Sequence, residues 1–510
     1  MITRRELLRG SSSLFGAAIG GGLAKNGIFA AILDSAILKE AETSTPSVTS
    51  VWADAIVKAR YEDLSSDVIR RSKLCILDNI GVMAHTSTLK DSLAYLERPM
   101  KIGGPAEATV WGVNRKLPLE TATACNAYLI HGNEIDDSDF RSNYRASCVS
   151  LPAPLTVSEY THATGRDLIL ATAIAYSVNG RLAAQLDRLQ GLGFMPSSVV
   201  GGGGSAAAAA KLMRLNADQT LAAMGLGIGG GGGLFQYYFD QTEDKKLHVA
   251  RAARTGIEMA LLAAKGWKGP THIVEGPSGL LPSYLRGTGR KMDYEAMKKD
   301  FNKFEGPLYI YPKFTSCSSS IGPFIDALDP VYKRSKIKAG DIERFIVVRE
   351  WPKDGPFGQK ILHFEAPHTI VGAQLNMNFA ISLYLHRGSA SVYDFTEEAL
   401  HDKSVLDLAG RAGYEEVPEA SEYAIRLVLR DGRTLEAPFK YSRGEKPEPE
   451  AIDRRMEKFA SLTRDRLTDA SRKQVIDMVE RLDSVKDVAD WTLAINKLLK
   501  PIVGRTRNKR

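Results

Sequence analysis

The strongest constraint on this chain is a set of segments in which almost every side chain is small. Gly201-Gly-Gly-Gly204-Ser205 runs into Ala206–Ala210, and Gly225 to Gly233 is interrupted only by Leu226 and Ile228. Residues 151–160, 165–186 and 205–215 are also rich in Ala, Gly and Ser. Small side chains let helix backbones approach closely. The apolar spacing from Ser50 to about Gly289 is helical, so a compact all-helical bundle is expected. One helix announces its start: Leu64-Ser-Ser-Asp67 precedes a stripe of Val68, Ile69, Cys75, Ile76 and Ile80. Another is expected from Leu117 to His131, with Pro118 suited to its first turn.

After about Lys303 the texture changes. Asp341 to Glu350 reads as a strand. Asp431-Gly432 between the alternating runs Ala424–Arg430 and Arg433–Pro438 is a hairpin signal. Asn378 to His386 reads as a helix between the strands, and residues 450–499 return to charged amphipathic helices. The expected fold is mainly α: an all-helical bundle domain plus a smaller inserted α+β lid domain. The boundaries are a leader and linker at 1–45, the helical domain at 46–303, the lid at 304–445, C-terminal helices packing back at 446–504, and a basic tail at 505–510.

The leader carries Arg4 and Arg5 before Leu7, Leu8 and a Gly/Ala/Ser-rich stretch to Ala24. This pattern reads as a twin-arginine export signal and a periplasmic destination, with retention as an anchor left open. Glu42 to Thr49 reads as a linker. No later segment is apolar for long enough to span a bilayer. The net charge of +7 (67 basic, 60 acidic) gives little support to nucleic-acid binding, because four of the excess cations are Arg505, Arg507, Lys509 and Arg510. Cys75, Cys125, Cys148 and Cys317 form no C-x-x-C pair and have no metal-ligand spacing to a histidine, so they read as free, mostly buried thiols.

Two clusters carry candidate chemistry. His131-Gly-Asn-Glu134-Ile-Asp136-Asp137-Ser-Asp139 follows an apolar helix, with Arg141 and Arg145 close behind. It is either a solvated loop or a polar site where acids and arginines set each other's charge. Its acids lack a calcium-loop pattern, and no metal is assigned. Asp244-Lys245-Lys246-Leu-His248 opens a helix, and its three-residue spacing lets Lys245 and His248 face one site. A lysine of lowered pKa or a histidine near neutrality moves protons; the alternative is a charged loop. Gly225 to Gly233 formally contains G-x-G-x-x-G, but a helix precedes it rather than a strand, which argues against a dinucleotide site. Close packing or a loop beside a site is the preferred reading of both glycine runs.

Taken together, these motifs resemble the MmgE/PrpD family, whose members include dehydratases, decarboxylases and epimerases of small carboxylic acids. The resemblance spans residues 50 to 460. It rests on Ala108-Thr-Val-Trp-Gly112, on Asn126-Ala-Tyr-Leu-Ile-His131-Gly-Asn-Glu134-Ile-Asp136-Asp137, and on Gly165-Arg-Asp-Leu168. It continues through Gly193-Phe-Met195-Pro196, Lys245-Lys-Leu-His248, Gly269-Pro270 and the segment from Lys313 to Asp326. The resemblance implies a homodimer, no organic cofactor, and a cleft between two domains for a small di- or tricarboxylate. It also implies departures: Glu134 in place of an Asp, and Arg145, Met195 and Ser318 where relatives carry histidines. Met cannot transfer a proton, and Arg stays protonated.

The resulting expectation is a divergent lyase or isomerase, hydro-lyase-like, that abstracts a proton next to a carboxylate. Lys245, His248, Glu134, Asp136 and Asp137 are the catalytic candidates. Arg145, Lys313, Met195, Ser318 and Lys246 are the substrate-binding candidates. The alternative is a carboxylate-binding or scaffold protein that has lost the chemistry. A pocket lined by Lys245, His248, Arg145 and Lys313 within hydrogen-bonding reach of one point favours the first; a cleft filled by Phe194, Met195 or the Gly225–Gly233 segment favours the second.

Overall fold

The computed structural model describes residues 46–502, except 140, 143, 187–188, 351–359, 361–362, 419–421, 441–448 and the side chains of 449–453. The expected leader (1–45) and basic tail (505–510) lie outside the described residues. No helix among the described residues is long and apolar enough to cross a membrane.

The fold is mainly helical. Ser65 caps the helix Ser66–Thr86 by accepting from the Val68 amide, with Asp67 in its first turn. The linker expected at residues 42–49 ends earlier than its composition suggested. Ser47 caps a helix Val48–Lys58 that buries Val48, Trp52 and Ile56. Pro118 caps the helix Leu119–Ile130 from outside, because Leu117 ends a short strand instead. That strand, β2 (Arg115–Leu117), pairs antiparallel with β1 (Ala108–Val110).

The first glycine run is helix; the second begins in a helix and leaves it at Gly230. Gly201–Gly204 lie inside Pro196–Leu212, and Gly225, Gly227 and Gly229 lie inside Ala217–Gly229. Contact with the neighbouring backbone explains their composition. A Cβ on Gly202 would sit 2.3 Å from the Gly227 carbonyl oxygen. One on Gly227 would sit 2.7 Å from that of Gly202, and one on Gly256 would sit 2.4 Å from Ser205 Cβ. The third helix of this contact, Asp244–Ala264, is the one that carries Lys245. Helix propensity alone penalises each glycine by about 1 kcal/mol, so tertiary packing decides here.

Two further strands pair across a large sequence gap. In the antiparallel ladder of β3 (Asp137–Asp139) and β4 (Ile310–Pro312), Asp137 stands opposite Pro312. The second half of the chain carries a four-stranded sheet of β5 (Ile342–Arg349), β6 (Gly413–Glu416), β7 (Tyr423–Leu429) and β8 (Thr434–Phe439). Its order is β6-β5-β7-β8, with β6 parallel to β5 and the other pairs antiparallel. The Asp431-Gly432 turn closes the β7–β8 hairpin, Gly432 taking φ +87°. The helices Gly322–Ser335 and Met377–Arg387 accompany the sheet.

The apolar core divides in two. One cluster runs from Val48 to Ile310 and takes in Phe459, Val475, Leu482 and Ile495 of the C-terminal segment. The other runs from Cys317 to Ala437. Along this stretch the apolar core changes over between Ile310 and Cys317. Phe459 fills the space above Gly81, where a Cβ would meet its ring at 2.7 Å.

Gly202→Ala is expected to destabilise the protein despite alanine's better helix propensity, because overpacking costs about 1–3 kcal/mol and the obstacle is backbone. Thermal unfolding checks this. Gly340→Ala, with nothing within 4 Å of the new methyl, is expected to leave the midpoint unchanged.

Candidate active site

The acidic motif folds around a strained turn. Glu134 adopts φ +49°, a left-handed conformation that costs a non-glycine residue about 1–2 kcal/mol. Three separate segments hold the turn. Lys458 Nζ donates to the Ile135 carbonyl at 2.5 Å and to Asp78 at 2.8 Å. Ser316 Oγ donates to the Asn133 carbonyl at 2.6 Å. Gln374 Nε2 donates to the same carbonyl at 3.3 Å and to the Asn133 side chain at 2.7 Å.

Charges converge on this turn. The buried Glu134 carboxylate contacts Lys245 through Oε1 and stands 3.5 Å from Lys313 Nζ through Oε2. The β3–β4 register, with Asp137 opposite Pro312, puts Asp136 beside Lys313, and the two form an ion pair at 3.1 Å. Asp136 also holds His131 Nδ1 at 2.7 Å. His131 Nε2 lies 3.7 Å from Glu134 and has no hydrogen-bond partner among the described residues.

Burial sets the protonation states. It pushes His131 down to about 3 against the pull of Asp136, so the imidazole is neutral at working pH. Asp136 goes the other way: burial opposes its charge, but Lys313 and His131 hold it below the ordinary carboxylate range. Burial, with Lys313 and Lys246 nearby, pushes Lys245 well below the usual lysine value. Its place in the first turn of a 21-residue helix, at the positive end of the dipole, acts in the same direction. Lys313 is lowered mainly by burial, and Asp136 opposes the shift.

A cleft reaches this network. Lys245, Arg145, Ser318 and Ser320 line it together with residues from both halves of the chain. Arg145 and Lys245 are 5% and 4% exposed, whereas His363 and Glu365 on the same cleft are open to solvent. The two cations therefore form its floor. Arg145 donates to Ser138 Oγ at 3.2 Å and to Ser318 Oγ at 3.3 Å, while Ser197 Oγ accepts from its amide at 2.8 Å.

The other expected residues fall elsewhere. Asp137 is buried against Ser147, accepting from its amide at 2.9 Å and its hydroxyl at 2.5 Å. Burial raises it to about 6 despite those bonds. It anchors the motif and does not line the cleft. Lys246 was expected to bind substrate; it instead pairs with Asp91 at 2.5 Å and Glu243 at 2.6 Å on the far side of its helix. His248 was expected to share a site with Lys245. It faces Asp244 at 3.5 Å and packs near Tyr237, and burial lowers it. Met195 precedes Pro196 at the helix start, its amide donating to the Gly233 carbonyl at 3.0 Å. Neither Met195, Phe194 nor the Gly225–Gly233 segment lines the cleft.

His131 lies within the motif, and its spacing to Asp136 was the one signal in the sequence for its place in this network. The cleft wall of Phe235, Tyr237 and Tyr238 was missed. Its signal was four aromatic residues between 235 and 239 in a chain that is 8% aromatic.

Donor atoms of His131, Asp136 and Cys148 lie within 4.8 Å of one another. Burial holds the Cys148 thiol well above its ordinary value, and Lys313 already engages Asp136. With Lys245 and Arg145 close by, this surrounding of cations suits an organic anion better than a metal cation.

Comparison with known proteins fits this geometry. The MmgE/PrpD N-terminal domain matches residues 51–293, and the MmgE/PrpD C-terminal domain matches residues 316–484. The cis-aconitate decarboxylase of Aspergillus terreus (strain NIH 2624 / FGSC A1156) is 24% identical over 470 residues, covering 87% of this chain and 94% of that one. The cis-aconitate decarboxylase-like protein oryM of Aspergillus oryzae is 24% identical over 484 residues, covering 89% and 98%. The cis-aconitate decarboxylase of Homo sapiens is 31% identical over 241 residues, covering 46% and 49%. The two domain matches follow one another along most of the sequence, and the chain belongs to the MmgE/PrpD family.

Proposed function

We propose that this protein is a lyase or isomerase that moves a proton at a carbon next to a carboxylate of a small di- or tricarboxylic acid. One observation carries the reading: a buried lysine of lowered basicity and a buried guanidinium share the floor of one cleft. The names of the relatives support the same chemical class.

Arg145 forks a substrate carboxylate, aided by the hydroxyl of Ser318. The neutral Lys245 amine takes the proton from the adjacent carbon. The electron pair left behind delocalises into the held carboxylate, whose growing charge Arg145 stabilises. Departure of the hydroxyl, which takes up a proton and leaves as water, completes elimination, and return of a proton to the other face completes epimerisation; decarboxylation instead breaks the carbon–carboxylate bond, and a protonated Lys245 delivers its proton to the carbon left behind. Glu134 contacts Lys245 and Lys313 from behind and positions them, while Asp136 fixes His131 and Lys313. No organic cofactor enters this scheme. The division of the apolar core supports a lid inserted into the helical domain, closing over the cleft. The paired arginines of the leader support export by the twin-arginine route to the periplasm, and the resemblance supports a homodimer.

Proton NMR in deuterated water over a panel of hydroxy di- and tricarboxylates tests the reaction. The expected result is exchange of deuterium for a carbon-bound proton. Lys245→Ala is expected to slow it at least about tenfold, equivalent to about 1.4 kcal/mol. Exchange undiminished in that variant would remove Lys245 from its role, and no exchange with any acid would favour a binding protein.

The pH dependence follows from the base. Lys245 must be neutral to act, so kcat/KM is expected to rise with pH and level off below the ordinary lysine value of about 10.4. His131 stays neutral down to about 3, so the profile is expected to show no inflection from it near 6.5. An inflection there that disappears in His131→Gln would count against this assignment.

A further inference from the structure

The cleft is not a uniformly polar hole. Above the Arg145–Lys245 floor its walls are Phe235, Tyr237 and Tyr238 on one side, and Ile321, Leu375 and Met377 from the second half of the chain. Phe235 and Tyr238 stack at 5.3 Å between ring centroids, and Phe235 meets Tyr237 edge-on at 5.0 Å. The rings thus brace one another into a fixed surface.

Three polar side chains along these walls are engaged within the protein. Gln241 Oε1 accepts from the His368 amide at 2.9 Å. Asn378 Nδ2 donates to the Ala409 carbonyl at 3.2 Å, and Tyr414 donates to its other end. Lys360 donates to the Phe239 carbonyl at 2.8 Å. A carboxylate turned toward these rings would lose hydration that the ring faces do not replace. An alkyl or aryl group would instead bury apolar surface there.

We propose that the substrate is an amphiphilic acid: a carboxylated carbon held on Arg145 and Lys245, with an alkyl or aryl substituent lying along the Phe235–Tyr238 wall. This specificity rests on the proton-transfer reading above and narrows its substrate class. It assigns Tyr238 and Met377 to substrate discrimination and leaves proton transfer with Lys245, which takes the proton from carbon and returns a deuteron in deuterated water.

The test is a series of 2-substituted hydroxysuccinates bearing hydrogen, methyl, propyl or phenyl, run beside citrate in the deuterium-exchange assay. The expected result is a rise in kcat/KM of about fourfold per methylene up to propyl, with citrate the slowest. Tyr238→Ser, at a half-buried position, and Met377→Ser are each expected to flatten that slope; two variants guard against a folding defect in either. A flat or falling series with citrate exchanging fastest would overturn this specificity while leaving the proton-transfer reading intact. Absence of exchange from every acid, citrate included, would overturn both.

Discussion

Glu134 is the point on which the two halves of the molecule meet. Its carboxylate lies buried between Lys245, from the helical part, and Lys313, which follows β4. A buried carboxylate with no partner is costly, and Glu134 tolerates burial because a side chain from each half holds it, Lys313 being shared with Asp136. Backbone strain at Glu134 is tolerated for the same reason: Lys458, Ser316 and Gln374 fix the turn from three distant stretches of chain. Two of those clamps, Ser316 and Gln374, come from the half that carries the four-stranded sheet. Displacing that half would release the Asn133 carbonyl and the strained turn together. The acid motif is thus assembled by docking rather than by local sequence.

The glycine-rich packing serves this convergence. Helices Pro196–Leu212, Ala217–Gly229 and Asp244–Ala264 approach until backbone meets backbone, as at Gly202, Gly227 and Gly256. Lys245 sits in the first turn of the last of these, so the same contact places its side chain. A larger residue at Gly202 would push the helices apart and carry Lys245 with them. Packing density far from the cleft and the position of Lys245 on its floor are therefore linked through one rigid helix.

Much of the architecture was legible in the residues. Ser65 and the Val68–Ile80 stripe defined a helix, and Asp431-Gly432 defined a hairpin, because each is a local signal with a local cause. The glycine runs left close packing and a loop both open, for the opposite reason. Glycine favours loops by propensity, and only a partner helix pressing on the backbone makes it helical. The site divides along the same line. Its acids, Lys245, Lys313 and Arg145 could be named from the chain, but which of them meet depends on the β3–β4 register across more than 170 residues. Lys246 and His248 show the limit of spacing arguments. Lys246 follows Lys245 directly and points away, and the three-residue step to His248 ends on Asp244 instead of the cleft.

The division of labour within the cluster follows from how burial treats different ions. Burial makes His131 so weak a base that it carries no proton near neutrality. A histidine in this setting can orient a neighbour but cannot deliver a proton. A lysine starts about four units higher, so the same desolvation brings it toward the working range instead of past it. Arginine starts higher still and keeps its charge. In the proposed reaction one low-dielectric pocket thus gives three side-chain types three different roles: a carboxylate fork at Arg145, an adjustable base at Lys245, and a neutral strut at His131. A site built on this plan needs no imidazole to move protons, provided its lysine is buried deeply enough and the carboxylate beside it does not hold the proton too tightly.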